Sequence, residues 1–436
     1  MTLSSYSDNK QPQRRGRQDA TANKRGEHGN SGPDLQDAGS HADAVKSAGH
    51  SSAETDRASK QSQFTPSDWT RTLAAYRQPI PSRSVFELTI TLAPFVALWA
   101  VDWWALSIST ALAIILALAN AAFLVRLFMF QHDCGHGSLF RSRRLCDWIG
   151  RVIGVLTLTP YDVWRKTHAL HHATTGNLDH WGVGDMPILT VSEYQDMSRV
   201  GRAGYRLIRN PLFLFGVVPF YTFFLQNRLP VHLMRSGWRY WLSAMGTNLA
   251  IGLSLMTIIW LGGWDVLLFV FLPTMFLAAV TGMWFFYVQH QFEDTSWQHD
   301  GDWNIQDAAL HGSSHYALPG ILRWISANIG VHHVHHLASR IPFYRLDEVI
   351  RDHDVLAQTK RMTLWESFRC ARLHLWDEQS HRLLSFAEAR RGISGALISG
   401  IAPPIPRERR SGPRLPSRFR GGHRPGFETD PLHPVL

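Results

Sequence analysis

The apolar residues of this chain are gathered into blocks rather than dispersed. One block runs from Val85 to Val101 and resumes from Ala105 to Phe130, with Asp102-Trp103-Trp104 between the halves. A second runs from Trp241 to Leu261 and from Val266 to Gln289, interrupted by Gly262-Gly263-Trp264-Asp265. At 1.5 Å per helical residue each half is long enough to cross a hydrocarbon core of about 30 Å, so the pattern predicts four transmembrane helices in two hairpins. The tryptophans at the breaks fit an interfacial aromatic belt. Shorter apolar stretches at Ile149 to Pro160 and Pro211 to Leu225 contain Pro or Gly and are predicted as interfacial or re-entrant helices.

The polar ends read differently. Residues 1–64 and 399–436 are rich in Ser, Gln, Arg, Gly and Pro and poor in apolar residues, and are predicted as disordered tails, leaving 65–398 as the membrane domain. The first tail has no apolar run of the kind a secretory signal carries. Composition agrees with this segregation: 45% of the 436 residues are hydrophobic, yet the mean hydropathy is only −0.14. A net charge of +9 suits an anionic partner, and the apolar blocks select phospholipid over nucleic acid. Cys134, Cys146 and Cys370 are too few and too scattered for a disulfide framework. Neither hairpin break contains Lys or Arg, whereas the flanks carry Arg71, Arg77, Arg83, Arg141, Arg143, Arg144, Arg165, Lys166, Arg235 and Arg239. The positive-inside rule therefore turns the breaks outward and puts the segments after each hairpin on the cytoplasmic side.

Candidate chemistry lies in the 23 histidines, of which eight form three clusters: His132 and His136; His168, His171 and His172; His332, His335 and His336. Residues three and four apart share one face of a helix, so each cluster aims its imidazoles in one direction. An even number of membrane crossings separates the clusters, which brings all three to one side. Eight imidazoles exceed the need of one tetrahedral zinc and suffice for two transition-metal ions with open positions. Ligand type alone leaves zinc, iron, copper and nickel open.

The segments FQHDCGHGSLF, WRKTHALHHATTGNLD and NIGVHHVHHLASRIP, with VQHQFEDTSW after the last apolar run, resemble the membrane-bound fatty acid desaturase family, in particular acyl-lipid desaturases of the delta-12 (omega-6) type. The resemblance extends over about Trp69 to Leu375. It implies an all-α integral membrane fold whose cytoplasmic helical cap holds two non-haem irons. It also implies an enzyme that uses O2 and two electrons to place a cis double bond in an acyl chain, and residence in a bacterial inner membrane. In this family one further histidine stands at the cytoplasmic end of the last hairpin, and His290 occupies that place here. His333 would point about 100° away from His332 on a helix and is not expected to be a ligand. The substrate is expected to be an acyl-lipid or acyl-CoA. No His-Pro-Gly-Gly haem motif occurs, so the electron donor is expected to be a separate ferredoxin or cytochrome b5-like protein.

Around the boxes, Asp179, Glu293, Asp294 and Asp307 are candidates to orient imidazoles, and Trp164, Trp181, Trp284, Trp297 and Trp303 to line an acyl tunnel. Asp133 and Cys134, at helix positions between ligands, are read as local structure, and His299, His311 and His315 as surface or supporting residues. Arg165, Lys166, Arg235 and Arg239 are candidates for phosphate contacts that positive-inside topology also explains. Two other readings stand beside desaturation: hydroxylation or ketolation of alkanes or carotenoids on the same scaffold, and a non-catalytic membrane metal-binding protein.

Overall fold

A computed structural model describes residues 66–180 and 184–391. Both predicted tails and Trp181 lie outside the described residues. The fold is mostly helical. The principal helices are α1 (Pro81–Leu106), α2 (Thr110–His136), α3 (Arg143–Leu156), α4 (Tyr161–Thr174), α5 (Arg199–Ile208), α6 (Trp238–Val266), α7 (Leu272–His290), α8 (Gly320–Ile325) and α9 (His332–Leu337).

Among the described residues, three stretches are long and apolar enough to cross a membrane, namely α1, α2 and the run Trp238–His290; a fourth is reached if α5 and Phe213–Arg228, bent by 58°, count as one span. The 238–290 run is not one straight rod. The Ser243 hydroxyl accepts the Asp162 amide at 3.2 Å, while the His290 ring packs 4.8 Å from His171. Residues 162 and 171 lie roughly 14 Å apart on α4, whereas an unbroken helix would hold 243 and 290 roughly 70 Å apart. The chain turns back at Gly263, whose φ of 74° and ψ of −176° lie outside the helical region and are open to glycine.

The first break falls elsewhere than the pattern predicted. Asp102-Trp103-Trp104 stay helical, and the turn is Ser107–Ser109, with the Ser107 hydroxyl donating to Trp104 O at 2.7 Å. Asp102 is fully buried and accepts from Asn120 Nδ2 at 2.8 Å, so its charge marks a polar pair inside the bundle, not a loop. Elsewhere the long helices are apolar outward and partly polar inward. Val96, Ile115, Leu118, Leu249 and Trp260 are exposed, while Glu87, Thr91 and Arg126 are buried between α1 and α2. Arg126 pairs with Glu87 at 2.5 Å, donates to Thr91 Oγ1 at 2.9 Å and to Trp324 O, and so ties the hairpin to α8.

The helical fold also carries short pairing segments: among the described residues beyond α4 there are five strands of two or three residues. β1 (Leu189–Thr190), β4 (Leu375–Asp377) and β5 (Arg382–Leu384) form one small sheet in the order β1-β4-β5, and β2 (His315–Ala317) pairs in parallel with β3 (Arg361–Thr363). These segments are too short for an amphipathic helix, and their backbone groups pair laterally instead. The 149–160 stretch is mostly α3, with Leu145, Trp148 and Val152 exposed on one face and Cys146, Gly150 and Ile153 buried on the other. The 211–225 stretch is helical with wide π-type turns at Phe213–Val217 and Tyr221–Leu225.

Candidate metal centre

Four helices converge on one point. α2 ends on His132 and His136, α4 presents His168, His171 and His172, α7 ends on His290, and α9 is formed largely by His332, His335 and His336. The join between the first two is fixed by Tyr161, whose hydroxyl donates to Cys134 O at 2.8 Å and lies 2.9 Å from Asp147 Oδ1. Its ring fills the space where a Cβ on Gly150 would stand, 2.2 Å from the Tyr161 Cε2. Glycine at 150 is thus what lets α3 and α4 approach.

All nine histidines singled out above come together, in two groups. One is His132, His136, His168, His172 and His335; the other is His171, His290, His332 and His336; within each, the candidate ligand nitrogens lie within 4.8 Å of one another. Adjacent Nε2 atoms stand 3.0 to 3.1 Å apart in both groups: His136 to His168, His168 to His172, His172 to His335, His290 to His332 and His332 to His336. Two nitrogens on bonds of about 2.1 Å lie about 3.0 Å apart at a right angle and about 3.4 Å apart at the tetrahedral angle. The spacing is close enough for several of these nitrogens to share one metal ion.

Hydrogen bonding at the outer nitrogens supports the same fit. A carbonyl only accepts, so Nδ1–H of His290 donates to Gly312 O at 3.1 Å and its Nε2 keeps a lone pair for the interior. His171 Nδ1 faces the Asp185 carboxylate, leaving its buried Nε2 without a partner among the described residues. Such second contacts fix the tautomer and raise ligand basicity. Burial, and then the neighbouring imidazoles, hold His168, His172, His332, His335 and His336 well below the ordinary histidine range, so all five are neutral at physiological pH, the form that binds metal.

Aromatic rings wall the site. Trp164 stacks on His168 with centroids 4.6 Å apart and lies 5.8 Å from His132, while Phe286 packs 5.2 Å from His171. Other candidates fall elsewhere. Trp284 packs on Phe215 and Phe368, Trp297 is buried against Trp376 and Ile188, and Trp303 donates to Thr175 O at 3.0 Å. Asp179 meets His299 at 3.0 Å, Asp294 pairs with Lys360, and Asp307 receives Asn304, which also caps its helix. None of these carboxylates reaches a box histidine; Asp185 and Asp133 do. Asp133 is more than local structure. Its Oδ1 lies 3.4 Å from His132 Nδ1 and its Oδ2 accepts the Phe343 amide at 2.9 Å, joining the first box to the chain beyond the third. His333 turns away from the centre, as expected, and donates Nε2–H to Leu356 O at 3.1 Å. His315 is buried with its ring 5.3 Å from that of His333. Of the basic candidates, Arg165 reaches Asp147 at 3.4 Å and Arg239 donates to Tyr240. The cysteines are all buried and free.

Comparison with known proteins agrees with this arrangement. A sequence model described as "Fatty acid desaturase" matches residues 108–368. The chain is similar to the fatty acid desaturase of Bacillus subtilis (strain 168), with 39% identity over 329 residues, covering 76% of this chain and 92% of that protein. It is similar to an sn-1 acyl-lipid omega-3 desaturase (ferredoxin) of Synechocystis sp., 31% identical over 232 residues, covering 50% of this chain and 61% of that one. To an sn-1 oleoyl-lipid 12-desaturase of the same organism it is 27% identical over 223 residues, covering 50% and 62%. With long apolar helices bearing buried histidine groups, the chain belongs to the fatty acid desaturase family and is an oxygen-dependent, membrane-integral desaturase.

Proposed function

We propose that this protein is an acyl-lipid desaturase of the delta-12 (omega-6) kind, with the nine histidines holding two iron ions. The observation that carries the reading is the pair of adjoining groups of five and four imidazoles, whose Nε2 atoms face one another at 3.0 to 3.1 Å. Bound iron supplies the oxidising power by which O2, two electrons and two protons convert a –CH2–CH2– unit into –CH=CH– and two molecules of water. The protein's part is positional. His290 and His171 keep inward lone pairs because Gly312 O and Asp185 occupy their outer nitrogens. Trp164 and Phe286 supply apolar walls that exclude water and offer an acyl chain a surface matched to it.

In this reading the membrane part is two hairpins, α1 with α2 and α6 with α7, and the histidine groups lie at the cytoplasmic face of a bacterial inner membrane. Basic residues flanking the hairpins support that orientation, as does their absence from both turns. The membrane domain in this reading is 65–398. A membrane lipid is favoured over acyl-CoA as substrate because two of the similar proteins are acyl-lipid or oleoyl-lipid desaturases by name, and a ferredoxin is favoured over a cytochrome as donor because the omega-3 desaturase carries ferredoxin in its name.

The test is product analysis. A bacterial host lacking this activity, expressing the chain and fed saturated or monounsaturated acyl chains, is expected to accumulate lipids with one further cis double bond, located by gas chromatography of derivatised esters. A hydroxylated or keto product would overturn the reading in favour of oxygen insertion.

A further inference from the structure

A second built site lies where α5 meets the end of the described chain. A cavity of about 230 Å³ is lined by Arg206, Arg209, Asn210, His374, Phe386 and Arg390, and no Asp or Glu is among its lining residues. Arg209 is buried to 99%, and its acceptors are all neutral: Pro187 O at 3.3 Å, Gln291 Oε1 at 2.8 Å and Leu373 O at 3.3 Å. Its Nε–H has no partner among the described residues, and neither has Nδ1 of His374. Burying a guanidinium is costly unless an anion compensates it, and the described acceptors of Arg209 are dipoles only. Burial, and then the charge of Arg209, push His374 down to about 4, in keeping with a cationic pocket.

Its position is as telling as its charge. Val200, Leu207 and Ile208 are exposed on a basic helix that also bears Arg199, Arg202 and Arg206, and Leu212 is exposed just beyond its end. The cavity sits at the 58° bend where α5 gives way to the apolar segment Phe213–Arg228. A basic helix edged with apolar side chains, next to a segment apolar enough to enter a bilayer, belongs at headgroup depth. Arginine is also the side chain best shaped to clasp a phosphate with paired N–H donors. From Arg209 a hydrogen bond runs to Gln291, the residue next to His290 in the chain.

We propose that this pocket binds a phosphate group, supplied by the headgroup of a membrane phospholipid, and thereby holds an acyl-lipid beside the histidine site. The proposal rests on the acyl-lipid reading above and gives that substrate a recognition point. Inorganic phosphate shares the chemistry, and the test separates the two.

Full-length protein in detergent is equilibrated with phosphatidylglycerol, or with a glycosyl diacylglycerol of identical acyl chains, and the retained lipid is counted by native mass spectrometry. The phospholipid is expected to be retained at least about tenfold better, and Arg206→Gln with Arg390→Gln to remove that preference. Arg202→Gln, on the same helix but outside the pocket, is expected to leave it intact. The two single variants keep the test open if the double variant does not fold. Equal retention of both lipids, or a preference indifferent to Arg206 and Arg390, would overturn the proposal. Inorganic phosphate bound through these arginines with no retention of phosphatidylglycerol would overturn the lipid as source and leave a free-phosphate site. Because the count needs no turnover, an inactive protein that still retains phosphatidylglycerol through these arginines would uphold the pocket while counting against the desaturase reading.

Discussion

At the scale of single residues, the two histidine groups differ in how they are supported. His171 leans on a carboxylate, Asp185, and His290 on a backbone carbonyl, Gly312 O. Asp185→Asn keeps the size of the side chain and removes its charge, and is expected to weaken iron binding by about 10- to 100-fold, read by chelator competition. Removing an imidazole is more severe. His171→Ala and His335→Ala, one from each group, are each expected to lower the iron content of anaerobically purified protein from about two per chain to one or fewer. A centre that stayed loaded in both variants would contradict the ligand assignment. The box histidines were legible because helical spacing is written in the sequence. Asp185 was not, since no spacing relates a loop carboxylate to a ring that only the fold brings near, and the same holds for Asp133 and Phe343.

His315 offers a pH test at this scale. Burial, and then the charge of Arg361, push it down to about 4, below the ordinary value near 6.5, and the His333 ring lies against it. The unfolded chain takes up a proton here below about pH 6.5 while the folded protein does not until about pH 4. Stability from this residue is therefore lost as pH falls through that window. His315→Gln is expected to flatten the dependence of unfolding free energy on pH between 6.5 and 4 by about one proton, measured by denaturation in detergent across that range.

At the scale of elements, the long apolar helices were legible and their details were not. The pattern placed the first break at Asp102 because an acid inside an apolar run reads as a loop, whereas Asn120 on the facing helix makes it an interior pair. The second break was placed correctly by Gly262-Gly263, since glycine is what a reversal needs. The Arg126–Glu87 pair, with both partners buried, is the strongest electrostatic tie between α1 and α2. Arg126→Leu leaves Glu87 buried with only Arg83 to pair with, and is expected to cost about 3–5 kcal/mol. Arg126→Leu with Glu87→Gln is expected to recover a large part of that loss in thermal unfolding in detergent. The contact of α3 with α4 depends on Gly150 in the same concrete way. Gly150→Ala drives a methyl into the Tyr161 ring and is expected to destabilise the fold by about 1–3 kcal/mol while disturbing the Cys134 carbonyl that leads to His136.

At the scale of the whole molecule, one arrangement accounts for the contrast between an apolar chain and a near-neutral mean hydropathy. Helices apolar on the outside carry a polar, histidine-rich assembly at their ends. This division was readable from the blocks and the boxes together. The small sheets, the wide turns after α5 and the arginine-lined cavity were not, because each depends on segments far apart in sequence, such as 206–211 with 374–390. The account stands most directly on the fate of oxygen during turnover. Iron-loaded protein, given a phospholipid with a deuterated saturated acyl chain, a reductant and isotopically heavy dioxygen, is expected to release heavy water and a chain that has lost two deuterium atoms and gained none of the heavy oxygen. Heavy oxygen found in the acyl chain would contradict it.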